Sequence, residues 1–290
     1  MKIEHKVSAS VILKVFAAVA LTATLQIPAH AQDKTWDTFA LELTQLFSKG
    51  EYKDAIAVGL KALAYSERTF GPNHATTGTS LNNLATLYEA TGQYDKALPM
   101  SVRALAISEK TRGPEHLVTG ARLSVLAGLY KSLGQYDKAL PLSLRAVSIA
   151  EKVEGPEHAN TGEQLNNLGE IFEALKQYGK ALPLFVRALE ISEKAEGPDH
   201  SNTGVRLNNL AAVYQAMRQY DKALPLTVRA LNISEKTDGP DHPFTGIRLN
   251  NLAALYQAMG QFDKAQPLYA RALAIKEMTK QPEQNGSAPK

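Results

Sequence analysis

Five histidines stand 42 residues apart: His74, His116, His158, His200 and His242, each closing a Gly-Pro-x-His connector. Imidazole is the commonest side-chain ligand for metals, so a His ladder is the first chemistry to consider. Zinc needs three or four ligands, each within ~2.1 Å of one ion. One His per repeat spreads the set along the chain, which favours a structural part in the connector or at a helix cap. No metal and no other cofactor is expected. The chain has no Cys, so thiolate ligands, a cysteine nucleophile and disulfides are all excluded. No Gly-rich phosphate loop, no paired carboxylates at fixed spacing and no Ser/His/Asp set stands outside the repeat. The chain is therefore not expected to be an enzyme.

A second set carries binding chemistry. Asn pairs fall at Asn82-Asn83, Asn166-Asn167, Asn208-Asn209 and Asn250-Asn251. A carboxamide offers both donor and acceptor, so a row of them can pair with a peptide backbone whatever its sequence. The same amides could instead bond neighbouring helices to each other. The third copy breaks the row with Leu123-Ser124-Val125-Leu126.

These residues sit in a repeat whose elements can be read directly. Gly-Pro recurs at 71, 113, 155, 197 and 239, and Leu-x-x-Leu at 81, 123, 165, 207 and 249. A constant period of this size means stacked supersecondary units. Leu207, Leu210, Ala211 and Tyr214 follow the i, i+3, i+4, i+7 spacing of one helix face. Tyr220, Ala223, Leu224, Val228, Ala230, Leu231 and Ile233 mark a second helical stripe. Gly92, Gly134 and Gly260 lie between the two stripes, where a helix end needs positive φ. Each unit reads as a helical hairpin, and small Ala211, Ala223 and Ala230 let its two helices approach closely. The acid or Asn after each Gly-Pro (Asn73, Glu115, Glu157, Asp199, Asp241) is placed to cap the next helix. Pro243 fits a first helical position. Pro99, Pro141, Pro183, Pro225 and Pro267 fall inside the second helix, where each removes one hydrogen bond. The Glu-Lys pairs ending the second helices are adjacent, so they do not pair along a helix face.

The pattern resembles the tetratricopeptide repeat, with Leu207, Leu210, Ala211, Tyr214, Ala223 and Ala230 on the family's small and aromatic positions. The 42-residue step, Leu-Asn-Asn-Leu-Ala and Gly-Pro-x-His are most like the long-repeat variety of kinesin light chains and many bacterial proteins. The resemblance implies an all-α, right-handed superhelical solenoid of about six hairpins, at about 36–69, 75–111, 117–153, 159–195, 201–237 and 243–279. It also implies a scaffold whose first helices line a concave groove for a protein or peptide. Asn83, Asn167, Asn209 and Asn251 would face that groove. Asn82, Asn166, Asn208 and Asn250 are divided between the groove and the stack. Glu170 and Glu173, with Glu163, Glu89 and Lys131, vary from unit to unit as selectivity-setting or simply solvated positions would. The competing reading is a small-ligand or metal-binding protein that uses the groove or the connector His.

The ends differ from the repeat. Lys2 and Lys6, an apolar run over Val15–Leu25 and Ala29-His30-Ala31 make residues 1–31 a secretory signal cleaved after Ala31. The apolar run is far short of the ~20 residues that a membrane span needs. The chain is thus expected to be exported, to the periplasm or outside the cell, with a solenoid over 32–280. Residues 281–290 are polar with Gly, Ser and Pro, and are expected to be a disordered tail. Of 32 Lys and Arg and 29 Asp and Glu, three Lys and one Glu lie within residues 1–31, which leaves 29 against 28. That balance points away from nucleic acid and anionic membranes. The expected partner is a protein or peptide, and self-association is compatible with the same surface.

Overall fold

The computed structural model describes residues 34–278, so the signal, its cleavage site and the tail lie outside the described residues. Twelve helices and no strand occur among the described residues: α1 (Lys34–Ser48), α2 (Tyr52–Thr69), α3 (Ala75–Ala90), α4 (Tyr94–Arg112), α5 (Leu117–Ser132), α6 (Tyr136–Val153), α7 (Ala159–Ala174), α8 (Tyr178–Ala195), α9 (Ser201–Ala216), α10 (Tyr220–Thr237), α11 (Pro243–Ala258) and α12 (Phe262–Met278). They form two compact units that divide after Pro156. Unit 1 stacks the hairpins α1–α2, α3–α4 and α5–α6; unit 2 stacks α7–α8, α9–α10 and α11–α12. Each unit is an all-α stack in which every helix packs on the next one in sequence.

The hairpin core follows from the spacing of small residues. Leu207, Ala230 and Ile233 cluster between α9 and α10, as Leu81, Ala104 and Ile107 do between α3 and α4. The helices meet closely because Gly204 faces Ile233, where a Cβ would come within 3.2 Å of Ile233 Cγ2. Gly78, Gly120, Gly162 and Gly246 meet Ile107, Ile149, Ile191 and Ile275 in the same way. Ala211, Ala223 and Leu255 join α9, α10 and α11. Each fully buried Leu contributes roughly 1.5–3 kcal/mol.

Gly92, Gly134 and Gly260 take φ of 71° to 75° after the first helix. Gln93 N–H then donates to Tyr88 O at 2.8 Å, the bond expected of a left-handed helix terminus. Lys176 and Arg218 take φ of 57° and 58° at the same place without the freedom of glycine. The second helices run unbroken through Pro99, Pro141, Pro183, Pro225 and Pro267.

The connectors correct one expectation. His, and not the preceding acid or Asn, is the N-cap residue. His74, His116, His158, His200 and His242 all have extended backbones, and Nδ1 accepts the N–H two residues on, at 3.1 to 3.2 Å. Glu115, Glu157 and Asp199 instead pair with Lys152, Lys194 and Lys236 at the end of the following second helix. These pairs hold the three carboxyls below their usual range. Lys152, Lys194 and Lys236 of the Glu-Lys pairs are thus tied to connectors, and Glu109, Glu193 and Glu235 are tied too. Arg103, Arg145, Arg229 and Arg271 bridge Glu67, Glu109, Glu193 and Glu235 of the preceding second helix. The same guanidinium donates to the connector carbonyl of Pro72, Pro114, Pro198 or Pro240. Pro243 does occupy the first turn of α11.

The end hairpins differ from the inner ones. Leu43 and Phe47 are buried with Phe39 and Leu46 packed against them, and Trp36 Nε1–H donates to Ser80 Oγ at 3.2 Å. Gln266 is exposed in the last hairpin, whereas Leu224 at its register packs against the α11–α12 core.

Candidate functional site

The first helices of unit 2 carry the Asn row, and the hydrogen bonds between them define its geometry. Asn209 Nδ2 on α9 donates to Asn166 Oδ1 on α7 at 2.9 Å and lies 3.3 Å from Glu170 Oε1. Asn166 Nδ2 in turn donates to Glu170 at 2.8 Å. Asn251 Nδ2 on α11 donates to Asn208 Oδ1 on α9 at 2.6 Å. Asn209 and Asn251 therefore each reach back to the first Asn of the preceding hairpin. One N–H is spent on the stack, and the Oδ1 of Asn209 and of Asn251 is not spent in these bonds.

Burial separates the two members of each pair. Asn82 and Asn166 are 0% and 1% exposed, because the next first helix covers them. Asn208 is half-buried under α11, and Asn250 is exposed in the last hairpin. Asn83, Asn209 and Asn251 are half-buried at the edge of the stack. Asn167 is buried at 8% with its Nδ2 unpartnered. Glu170 and Glu173 are both half-buried on α7, and Glu170 is drawn into the amide ladder. The structure thus brings Asn166, Glu170, Asn208, Asn209 and Asn251 into one ladder. It keeps Asn82 and Asn83 in unit 1.

The connector His are committed to caps through Nδ1. Among the described residues no three His, Asp or Glu groups come close enough to hold a metal ion. No helix of the described residues is long and apolar enough to cross a membrane.

One register was missed in the sequence. The residue just before each Leu-x-x-Leu is Ser80, Arg122, Gln164, Arg206 or Arg248. All three arginines are buried, at 4% to 7% exposure. Burial lowers the pKa of Arg122 and Arg248 to about 10. It lowers that of Arg206 too, against the opposing charges of Glu163, Glu170 and Glu196. The signal was available: Arg directly beside the first Leu of the Leu-x-x-Leu block.

Comparison with known proteins settles the family. The tetratricopeptide repeat profile matches residues 44–110, 88–152, 121–194, 164–226 and 205–278. The chain belongs to the tetratricopeptide repeat family. Its fold is thus a protein-interaction scaffold, and proteins of this repeat are generally non-catalytic. Among solved tetratricopeptide structures, BtubC (BKLC) from P. vanneervenii is 26% identical, with a TM-score of 0.65, over 82% of this chain and 97% of that one. Kinesin-light-chain repeats from Podosopora anserina are 29% identical, with a TM-score of 0.59, over 72% of this chain and 99% of theirs. A Rap protein complexed with Competence and Sporulation Factor is 15% identical, with a TM-score of 0.64, over 92% of this chain and 85% of that one, and shares the fold alone. No curated protein matches the chain.

Proposed function

We propose that this tetratricopeptide protein is a non-catalytic adaptor that holds an extended or helical protein segment along the first helices of unit 2. The observation that supports this is the division of labour within the Asn ladder. Asn166 and Asn208, the first members of their pairs, are consumed by the stack. Asn209 and Asn251 give one N–H to the stack and keep a carbonyl oxygen at its edge. Two such acceptors one repeat apart suit the N–H groups of a partner backbone.

The test separates the two members of the pair. A peptide selected from a random display library on the full chain serves as the probe. Asn209→Ala with Asn251→Ala removes two hydrogen bonds worth ~0.5–1.5 kcal/mol each, so affinity should fall about five-fold to 150-fold. Asn166→Ala with Asn208→Ala removes the stack acceptors and the Asn166–Glu170 bond. Thermal stability should fall in that variant while affinity stays within about two-fold. Equal affinity loss in both double variants would reduce the ladder to stacking glue and remove the reading.

The adaptor is proposed to work after export. Residues 1–31 support this through their charged start, apolar run and Ala-x-Ala site. Mass spectrometry of the protein from its native host should find Gln32 as the first residue. An intact Met1 would overturn export.

A further inference from the structure

Exposed apolar side chains are ordinary when scattered and informative when they make one face. In unit 1 they make one face. The second helices α2, α4 and α6 lie side by side, with α4 tied to α2 by Arg103–Glu67 and α6 tied to α4 by Arg145–Glu109. Leu60, Val102 and Leu144 occupy one register on these helices and are 44% to 48% exposed. They lie opposite the buried residues of their own helices. On α4 and α6 the positions one turn either side are Pro99, Ala106, Pro141 and Ser148, all exposed and all uncharged. Spacings of three and four residues place them on one continuous stripe.

The ends of the stripe are charged, with opposite sign. Asp95 and Asp137 stand in the first turns of α4 and α6, and Lys110 and Lys152 in the last turns, about 22 Å further along each axis. All four are exposed, and Glu115 already holds Lys152 in place. Lys96 and Lys138, beside the acids, are drawn off over the rings of Tyr88 and Tyr130, so the acidic end keeps its sign. Unit 2 lacks the pattern. Val186 and Val228, at the same register, pack against the cores of its stack. α8 has Gly179 in place of the acid and Glu190 in mid-stripe, and α12 has Met278 in place of the Lys.

A face that runs acid, apolar, base along each helix is complementary to itself when turned end for end. We infer that the outer face of α4 and α6 docks a second copy of this chain across a two-fold axis. Val102 and Leu144 lie at its centre, with Asp95 against Lys110 and Asp137 against Lys152 of the other copy. Each ion pair then occurs twice, as a self-complementary interface requires. The apolar centre and charged rim are the anatomy of protein interfaces. α2 marks the edge of the contact, because Lys53 and Arg68 at its two ends would meet as like charges. Asp95 and Asp137 disfavour an anionic membrane as the occupant. The Asn ladder lies on the first helices of unit 2 and takes no part, so either reading can fail alone.

Sedimentation equilibrium of the chain as its host makes it should show a concentration-dependent dimer. Val102→Glu with Leu144→Glu should weaken that dimer by about 100-fold or more, since each substitution acts twice across the axis. Asp95→Lys sets Lys against Lys110 of the other copy and should weaken it by about ten-fold or more. Asp95→Lys with Lys110→Asp reverses the pair and should restore the dimer to within about three-fold. These positions are exposed, so the helical circular dichroism spectrum should not change. Ala270→Glu, at the Val102 register in unit 2, should leave the dimer unchanged. A monomer at millimolar concentration would overturn the assignment, and so would a dimer indifferent to the Glu pair or a reversed pair as weak as Asp95→Lys alone. A monomer that binds phosphatidylglycerol vesicles, and loses them with the Glu pair, would give the face to a lipid surface and overturn the dimer as well.

Discussion

Phe185→Ala should destabilise unit 2 by about 3–5 kcal/mol, the range for truncating a fully buried aromatic side chain. Phe185 on α8 is 0% exposed and packs with Ala181, Leu210 and Val213. The other hairpins carry Ser101, Ser143, Thr227 and Tyr269 at its register. Phe185 fits because α7 has Gly169 where α3, α5, α9 and α11 have Ala85, Ala127, Ala211 and Ala253. A Cβ at Gly169 would lie 2.9 Å from Phe185 Cε1. The ring therefore occupies space released by one methyl group, and nothing on α7 can refill it. Gly169→Ala alone should cost ~1–3 kcal/mol by overpacking. The double variant Gly169→Ala, Phe185→Ser restores the small-on-small pairing and should be more stable than the sum of the two single losses. Denaturant unfolding with hydrogen exchange of α7 and α8 reads the effect. A loss below about 1 kcal/mol for Phe185→Ala would show that the hairpin collapses freely around the site.

Replacing His158, His200 and His242 together with Ala should cost about 1.5–6 kcal/mol, since each N-cap contributes ~0.5–2 kcal/mol. The three caps lie on separate hairpins of unit 2, so their losses should add. Peptide affinity should change little, because the caps sit in the connectors and not in the Asn ladder. Asn at the same three positions can accept the same N–H and should recover most of the loss. Melting temperatures of the two triple variants decide the matter; equal loss in both would show that the imidazole acts by packing and not by capping. The cap also sets a pH dependence in unit 1. Burial, with the charge of Arg112 added, lowers the pKa of His116 from 6.5. Nδ1 must be unprotonated to accept from Val118. The folded pKa lies below the unfolded one, so this stability is fully present above about pH 6.5 and is lost as pH falls through the lowered value. His116→Asn should flatten that part of the profile.

The sequence by itself determined the secondary structure and the stacking unit of this protein. A 42-residue period with two apolar stripes permits only a hairpin that buries its face against the next copy, and twelve helices follow in order among the described residues. Gly92 and Ala211 were readable because their roles are local: a positive φ and a close approach. Tertiary structure decided what lies beyond one helical turn. Whether the acid or the His caps a helix depends on the backbone of a four-residue connector, and there Glu115 was taken by Lys152, 37 residues away. Whether an Asn faces solvent or the stack depends on the next hairpin, which buries Asn166 and leaves Asn250 exposed although their local sequences match. The meaning of Arg122 is the clearest case. Its own helix resembles those of Arg206 and Arg248, but the preceding hairpin carries Thr79, Thr86 and Arg112 where Glu163, Glu170 and Glu196 face Arg206. A charge is paired through space across a packed interface, and periodicity along one chain does not report the chemistry of the face opposite.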